Sequence, residues 1–205
     1  MHNRSLSREL SLISLGLIND KGNLKLNKSQ VEQIFESALD ALINHCREEL
    51  DNCESELENA SQKILDSELQ EGVDSSFSNV RDLLKKSLVK MENIMNTLSI
   101  TLDFPKLIVS SNQIDIRDDV KQRISNIINN LKIIDSDIDQ AMDGWRLKRL
   151  PRIDRDILRL AYLDINFLST PIAVACDEAV NLANKYSDLQ GIKFINGVLR
   201  RIQTI

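Results

Sequence analysis

With 205 residues, 42% of them apolar and 28% charged, the chain has material for one domain with a sizeable core and an appendage. Six Gly, three Pro and 4% aromatics are too few for a sandwich or barrel and predict an all-α protein of long helices and few turns. The net charge of −5, taken as a bulk figure, argues against nucleic acid, and the absence of a long apolar run or an N-terminal apolar region predicts a cytoplasmic protein without a membrane partner.

The first predicted helix spans about Ser5–Ile18, with Leu6, Leu10, Ile13 and Leu17 at helical spacing and Arg4 and Arg8 near the opposite border. A turn follows at Asn19–Asn23. A second helix starts near Asn27 or Ser29, either of which can cap it, and continues to about Leu69 because no Gly or Pro interrupts it. Within it Cys46, Leu50, Cys53, Leu57, Ala60 and Ile64 make a weak heptad seam. After a turn at Gly72–Ser76 a return run carries Val80, Leu84, Leu88, Met91, Met95 and Leu98. Together they predict an acidic helical hairpin over about 30–100. Thr101–Asp115, with Pro105, reads as a connector. A helix over about Ile116–Leu131 places Val120, Ile124, Ile127 and Leu131 inward, and Ile134, Ile138 and Met142 lead into Gly144-Trp145. Helices over about Ile153–Phe167, Pro171–Tyr186 and Ile192–Gln203 complete the chain, the second with Thr170 as cap and proline at its first position.

Catalytic signals are poor. There is no phosphate-binding loop and no nucleophile elbow, and the two histidines are His2 and His45. Cys46, Cys53 and Cys176 show no metal-ligand spacing and read as small core residues. No catalytic, metal or cofactor residue is therefore assigned. The acids Asp118-Asp119 and Asp135/Asp137/Asp139 read as helix starts and solvated faces. Trp145, Leu147, Leu150, Ile153, Ile157 and Leu160 read as core of the most basic segment, where Arg155 and Arg159 stand one helical turn apart and within reach of carboxylates.

Charge is unevenly distributed. Residues 1–31 hold 5 basic and 2 acidic groups, residues 32–92 hold 6 and 15, residues 93–143 hold 5 and 8, and residues 144–205 hold 10 and 6. An electrostatic footprint for RNA therefore requires the two basic ends to come together. Near the C-terminus Lys193-Phe194-Ile195-Asn196-Gly197 groups a cation, a ring and an amide, chemistry suited to single-stranded RNA, at what reads as the junction of two small-residue helices.

Four segments carry a family resemblance: Gly144-Trp145-x-Leu147-x-Arg149-Leu150, Asp154-Arg155-x-Ile157-Leu158-Arg159, Ala173-Val174-Ala175-x-x-Glu178-Ala179-Val180-x-Leu182-Ala183 and Lys193-Phe194-Ile195-Asn196-Gly197-Val198-Leu199. With Arg4-x-x-Ser7-Arg8-Glu9-Leu10 at the start, the chain resembles the NusB family. The resemblance implies a single domain over 1–205 made of two packed three-helix bundles, here with the hairpin as an enlarged insertion. It also implies a non-enzymatic transcription antitermination factor. Such a factor binds boxA-type single-stranded RNA with the ribosomal protein NusE in the transcription elongation complex and supports ribosomal RNA transcription. Arg4, Arg8 and Lys193 are then expected to neutralise phosphates, Phe194 to stack on a base and Asn196 to hydrogen-bond a base edge or backbone. Two other readings stand beside it: a NusB-fold module acting in trans with an RNA cytosine methyltransferase, and a helical scaffold or homodimer that works through its acidic hairpin.

Overall fold

The computed structural model describes residues 2–18, 27–69, 77–101, 104–142 and 144–202; the turns expected at Asn19–Asn23 and Gly72–Ser76 lie outside them. Regular structure in the described residues is helical throughout: α1 (His2–Gly16), α2 (Lys28–Leu69), α3 (Phe77–Thr101), α4 (Phe104–Ser111), α5 (Ile114–Asn129), α6 (Leu131–Ala141), α7 (Arg152–Asn166), α8 (Ile172–Tyr186) and α9 (Leu189–Ile202), with one 3-10 turn at Leu147–Arg149. The connector expected around Pro105 holds α4, and Pro105 occupies its first turn, where a missing N–H costs no helical bond. Asn27 caps α2, and its own N–H is bonded by Gln30 Oε1 at 2.9 Å, one half of a capping box. Pro171 precedes α8 directly, and no side-chain cap from Thr170 forms. The chain divides into two compact units, residues 1–39 with 110–205, and residues 40–109.

In the first unit α1 packs on α5 and α7, and α7, α8 and α9 form a three-helix group, with α6 packed on α5, α7 and α9; ion pairs tie the start of α2 to α5. Arg117 of α5 binds Glu32 of α2 at 2.7 Å and also Glu36, and lies 5.1 Å from the ring centre of buried Phe35. Lys121 bonds Glu32 too. The bonds from Lys121 and then Arg117 hold the Glu32 carboxyl below its ordinary range.

Helix α1 buries a wider face than its leucine spacing predicts. Leu6, Leu10, Leu12 and Leu15 are buried together with Ser7, Ser11 and Ser14, whereas Leu17 is exposed. Each of these serines donates to the carbonyl one turn back, at 3.0, 2.7 and 2.8 Å, so no buried hydroxyl is left unsatisfied.

Helix α7 touches α1, α5, α6, α8 and α9 and is buried nearly all round, which forces its ions to find partners inside the protein. Arg159 takes Asp135 of α6 with two bonds, 2.8 and 2.9 Å, and Asp156 at 2.8 Å. Burial works against the Arg159 charge, but the bonds and charges of Asp135 and Asp156 outweigh it and raise its pKa. Asp137 accepts the Tyr162 hydroxyl proton, and Asp139 accepts the Leu147 N–H at 2.6 Å. The three aspartates read as a solvated face are thus ties from α6 to α7 and to the turn before it. Asp119 likewise binds Arg123, at 3.1 Å.

The second unit holds α2 from Asp40 onward, α3, and α4 as far as Val109. Cys53 and Ile94 are buried there, while Leu50, Leu57, Leu88, Met91 and Met95 are exposed. The return run therefore does not face inward as a full heptad seam. The side chains of Ala60, Ile64, Val80 and Leu84 lie outside those described.

Candidate nucleic-acid interface

Helix α9 begins earlier than its apolar spacing suggests because Asp188 caps it: Oδ1 accepts the Gly191 N–H at 2.7 Å. Gly191 is required there, since a Cβ would stand 2.9 Å from a carboxylate oxygen of buried Asp154. As a result Lys193–Gly197 lies within the helix and not at a junction. Ile195, Val198, Leu199 and Ile202 turn into the core, and Lys193, Asn196, Gly197 and Arg200 are exposed. The spacing of Lys193, Asn196 and Arg200 lines two cations and an amide along one outer stripe.

Phe194 sits at the border of that stripe, half-buried against the core. Its ring meets Trp145 edge-on, with ring centres 5.9 Å apart and planes at 67°. Trp145, expected in the core, is 56% exposed. Gly144, with φ of 75°, turns the chain just before it, and the bond from Leu147 N–H to Asp139 anchors the following turn so that Leu147 fills the core position instead. Arg146, Lys148 and Arg149 beside Trp145 are exposed. Further along this basic segment the cations are engaged: Arg152 donates to the carbonyl of Leu15 in α1, at 2.8 Å, and to that of Ile18 just past the helix, covering the helix end, and Arg159 is paired as described.

Arg4 is exposed on the first turn of α1, with no ion pair among the described residues. Its neighbours fasten that turn: Asn3 donates to Gln113 at 3.4 Å and Ser5 to Glu178 at 2.6 Å. Arg8 is a correction to the sequence reading. Its side chain is only 4% exposed, and Nε bonds Asp164 at 2.5 Å, with Glu178 at 3.8 Å. Asp164 also holds Arg123. A guanidinium committed to a buried carboxylate has neither the access nor the spare charge to meet a phosphate.

Leu12 and Leu15 of α1 belong to the same buried cluster as Ile195, Val198, Leu199 and Ile202 of α9, and α7, which packs on both helices, links the two basic ends. At the edge, Glu9 of α1 binds Lys185 at 2.6 Å and accepts from Tyr186 at 2.5 Å, so the carboxylate on this side is neutralised. Of the expected surface residues, Lys193, Phe194 and Asn196 share one patch and Arg4 stands on α1. Trp145 and Arg200 belong to the patch and were missed. The i, i+3, i+7 pattern from Lys193 through Asn196 to Arg200 was the available signal for Arg200. Among the described residues no three His, Cys, Asp or Glu side chains converge as a metal ion requires, and no helix is long and apolar enough to cross a membrane.

A model of the NusB family matches residues 78–204. The transcription antitermination protein NusB of a Synechocystis species is 33% identical over 201 residues, covering 97% of this chain and 90% of that protein. Its counterpart in Crocosphaera subtropica is 34% identical over 198 residues, covering 97% and 93%. The counterpart in Synechococcus elongatus is 34% identical over 205 residues, covering 100% and 94%. A solved structure of T. maritima NusB, 33% identical, superposes with a TM-score of 0.45 over 49% of this chain and 72% of that one.

Proposed function

This chain belongs to the NusB family of transcription antitermination proteins, a non-enzymatic family, and from that premise we propose that it binds boxA-type single-stranded RNA together with the ribosomal protein NusE to support ribosomal RNA transcription. The observation that carries the RNA half of this reading is the exposed stripe of α9 beside the Trp145–Phe194 pair. Lys193 supplies charge for a phosphate, with Arg4 and Arg200 as further cations. The exposed Trp145 ring and the partly exposed Phe194 ring offer stacking surface, worth roughly 1–3 kcal/mol per base when fully engaged. Asn196 offers both a donor and an acceptor to a base edge. Arg8 takes no part in the contact and holds α1 in place.

A titration of boxA-like RNA with and without NusE tests the reading. Binding is expected to be weak alone and tighter with the partner. Neutralising two or three phosphates gives a log–log salt slope of about −1.4 to −2 on single-stranded RNA. Phe194→Leu, which keeps apolar volume under the core edge but removes the ring, is expected to weaken RNA binding by roughly 1–3 kcal/mol while circular dichroism stays unchanged. Salt-independent affinity, or no binding with NusE present, overturns the proposal.

A further inference from the structure

The second unit has surface that RNA binding does not use. On α3, at about 100° per residue, Ile94, Leu98, Met91, Met95 and Leu88 follow one another around an apolar arc that Ser87 interrupts near its Ile94 edge. Ile94 is buried at one edge of the arc, whereas Met91, Met95 and Leu88 are 61%, 69% and 64% exposed. On α2 the arc from buried Cys53 continues outward to Leu57 and Leu50, each about half exposed. The uncovered borders meet in a groove lined by Leu50, Cys53, Leu57, Ile94 and Leu98, with the exposed carboxylates of Glu54 and Glu58 along the α2 rim. Lys85 and Lys86, also exposed, project from the opposite side of the α3 arc and leave that rim acidic.

Although α4 belongs to the same unit, these residues of α2 and α3 stay exposed, and two half apolar stripes on the same side leave a seat for a further helix. We propose that this groove is a docking site for a basic amphipathic helix of a partner protein, its apolar stripe seated on Leu50, Leu57 and the α3 methionines and its cationic flank on Glu54 and Glu58. Charge complementarity selects this occupant. Residues 32–92 carry 15 acidic and 6 basic groups, which disfavours both a nucleic acid and a second copy of the same acidic surface. The exposed methionines suit a surface that repacks around an incoming helix.

The test uses the full chain and a fluorescent synthetic peptide of about 20 residues, with Leu at i, i+3, i+4 and i+7 and Lys elsewhere. The controls are a scrambled peptide of the same composition and a Glu-for-Lys version. Saturable binding of the helical peptide is expected, weaker for the scramble and absent for the acidic peptide. Met91→Ser/Met95→Ser is expected to cost about tenfold or more in affinity. Glu54→Lys/Glu58→Lys is expected to weaken binding and flatten its salt dependence. Because all four side chains are exposed, thermal unfolding and RNA titration of both variants should match the parent. Failure of the RNA reading therefore leaves this inference standing, and the reverse also holds. Equal binding of helical and scrambled peptides, or indifference to both double variants, overturns it. So does a homodimer in sedimentation that Met91→Ser/Met95→Ser dissolves, since the occupant is then a second copy.

Discussion

Two arginines four residues apart on α1 have opposite fates. Arg4 is exposed, whereas Arg8 shares buried Asp164 with Arg123. Breaking a buried charge pair costs about 3–5 kcal/mol, and the retained Arg123 puts Arg8→Ala near the lower end, measured as a shift in the urea midpoint. RNA affinity per folded molecule should survive that change. Arg4→Ala and Lys193→Ala should do the reverse, leaving stability within about 0.5 kcal/mol and each making the RNA salt slope shallower by about 0.7. A large RNA defect in folded Arg8→Ala would reverse the assignment. Sequence could not separate the two arginines, because the face buried by α1 includes three serines that satisfy themselves by bonding one turn back. A leucine stripe marks the centre of a buried face but not its width. Trp145 was misread for a similar reason: apolar character implied burial, yet Leu147 takes the core position and the Gly144 turn points the indole outward. Lys193, Phe194 and Asn196 stand out as candidates in the sequence because a cation, a ring and an amide fall within four residues, and the helix brings them to one patch.

Most long helices were legible to within a few residues, since Gly and Pro are scarce and the apolar periods are clear, whereas α4 was hidden in a stretch that Pro105 made read as a connector. What the apolar period leaves open is the choice of partner. In α2 and α3 both arcs were visible in the sequence, but only the structure shows that Cys53 and Ile94 are covered while Met91 and Met95 are not. The aspartates of α6 show the same limit for polar groups: spacing alone cannot tell a solvated carboxylate from one that ties two helices. The Asp137–Tyr162 tie can be tested by pH. Burial, then the hydrogen bond and charge of Asp137, push the Tyr162 phenol from 10.0 up to about 12. The folded state therefore holds the phenol proton more tightly than the unfolded state does. The resulting stabilisation is fully present below pH 10.0 and is lost as pH rises through about 12. In a Tyr186→Phe background the phenolate absorbance should titrate near the upper figure, and Asp137→Asn should lower it. A midpoint at the ordinary tyrosine value in the folded protein would show that the α6–α7 tie does not hold in solution.

At the scale of the whole chain, charge and architecture divide together. The basic ends fall in the unit of residues 1–39 and 110–205, and most of the acidic excess falls in residues 40–109. The alignments with the Synechocystis, Crocosphaera and Synechococcus relatives cover 97% or more of the chain and so span that stretch as well. If the acidic helices serve a protein partner and not RNA, replacing residues 45–92 with a short loop should leave the RNA patch working. The residues removed hold 12 acidic and 6 basic groups, which changes the formal charge from −5 to +1. Less long-range repulsion should speed RNA association at low salt. Near physiological ionic strength, where charges more than about 8 Å apart are largely screened, the two forms should converge. Stopped-flow association with boxA-like RNA across a salt series measures both regimes. Loss of RNA affinity at every salt concentration, in a variant that still unfolds cooperatively, would place part of the RNA site on the acidic helices. An unchanged rate at low salt would show that their charge does not reach the patch.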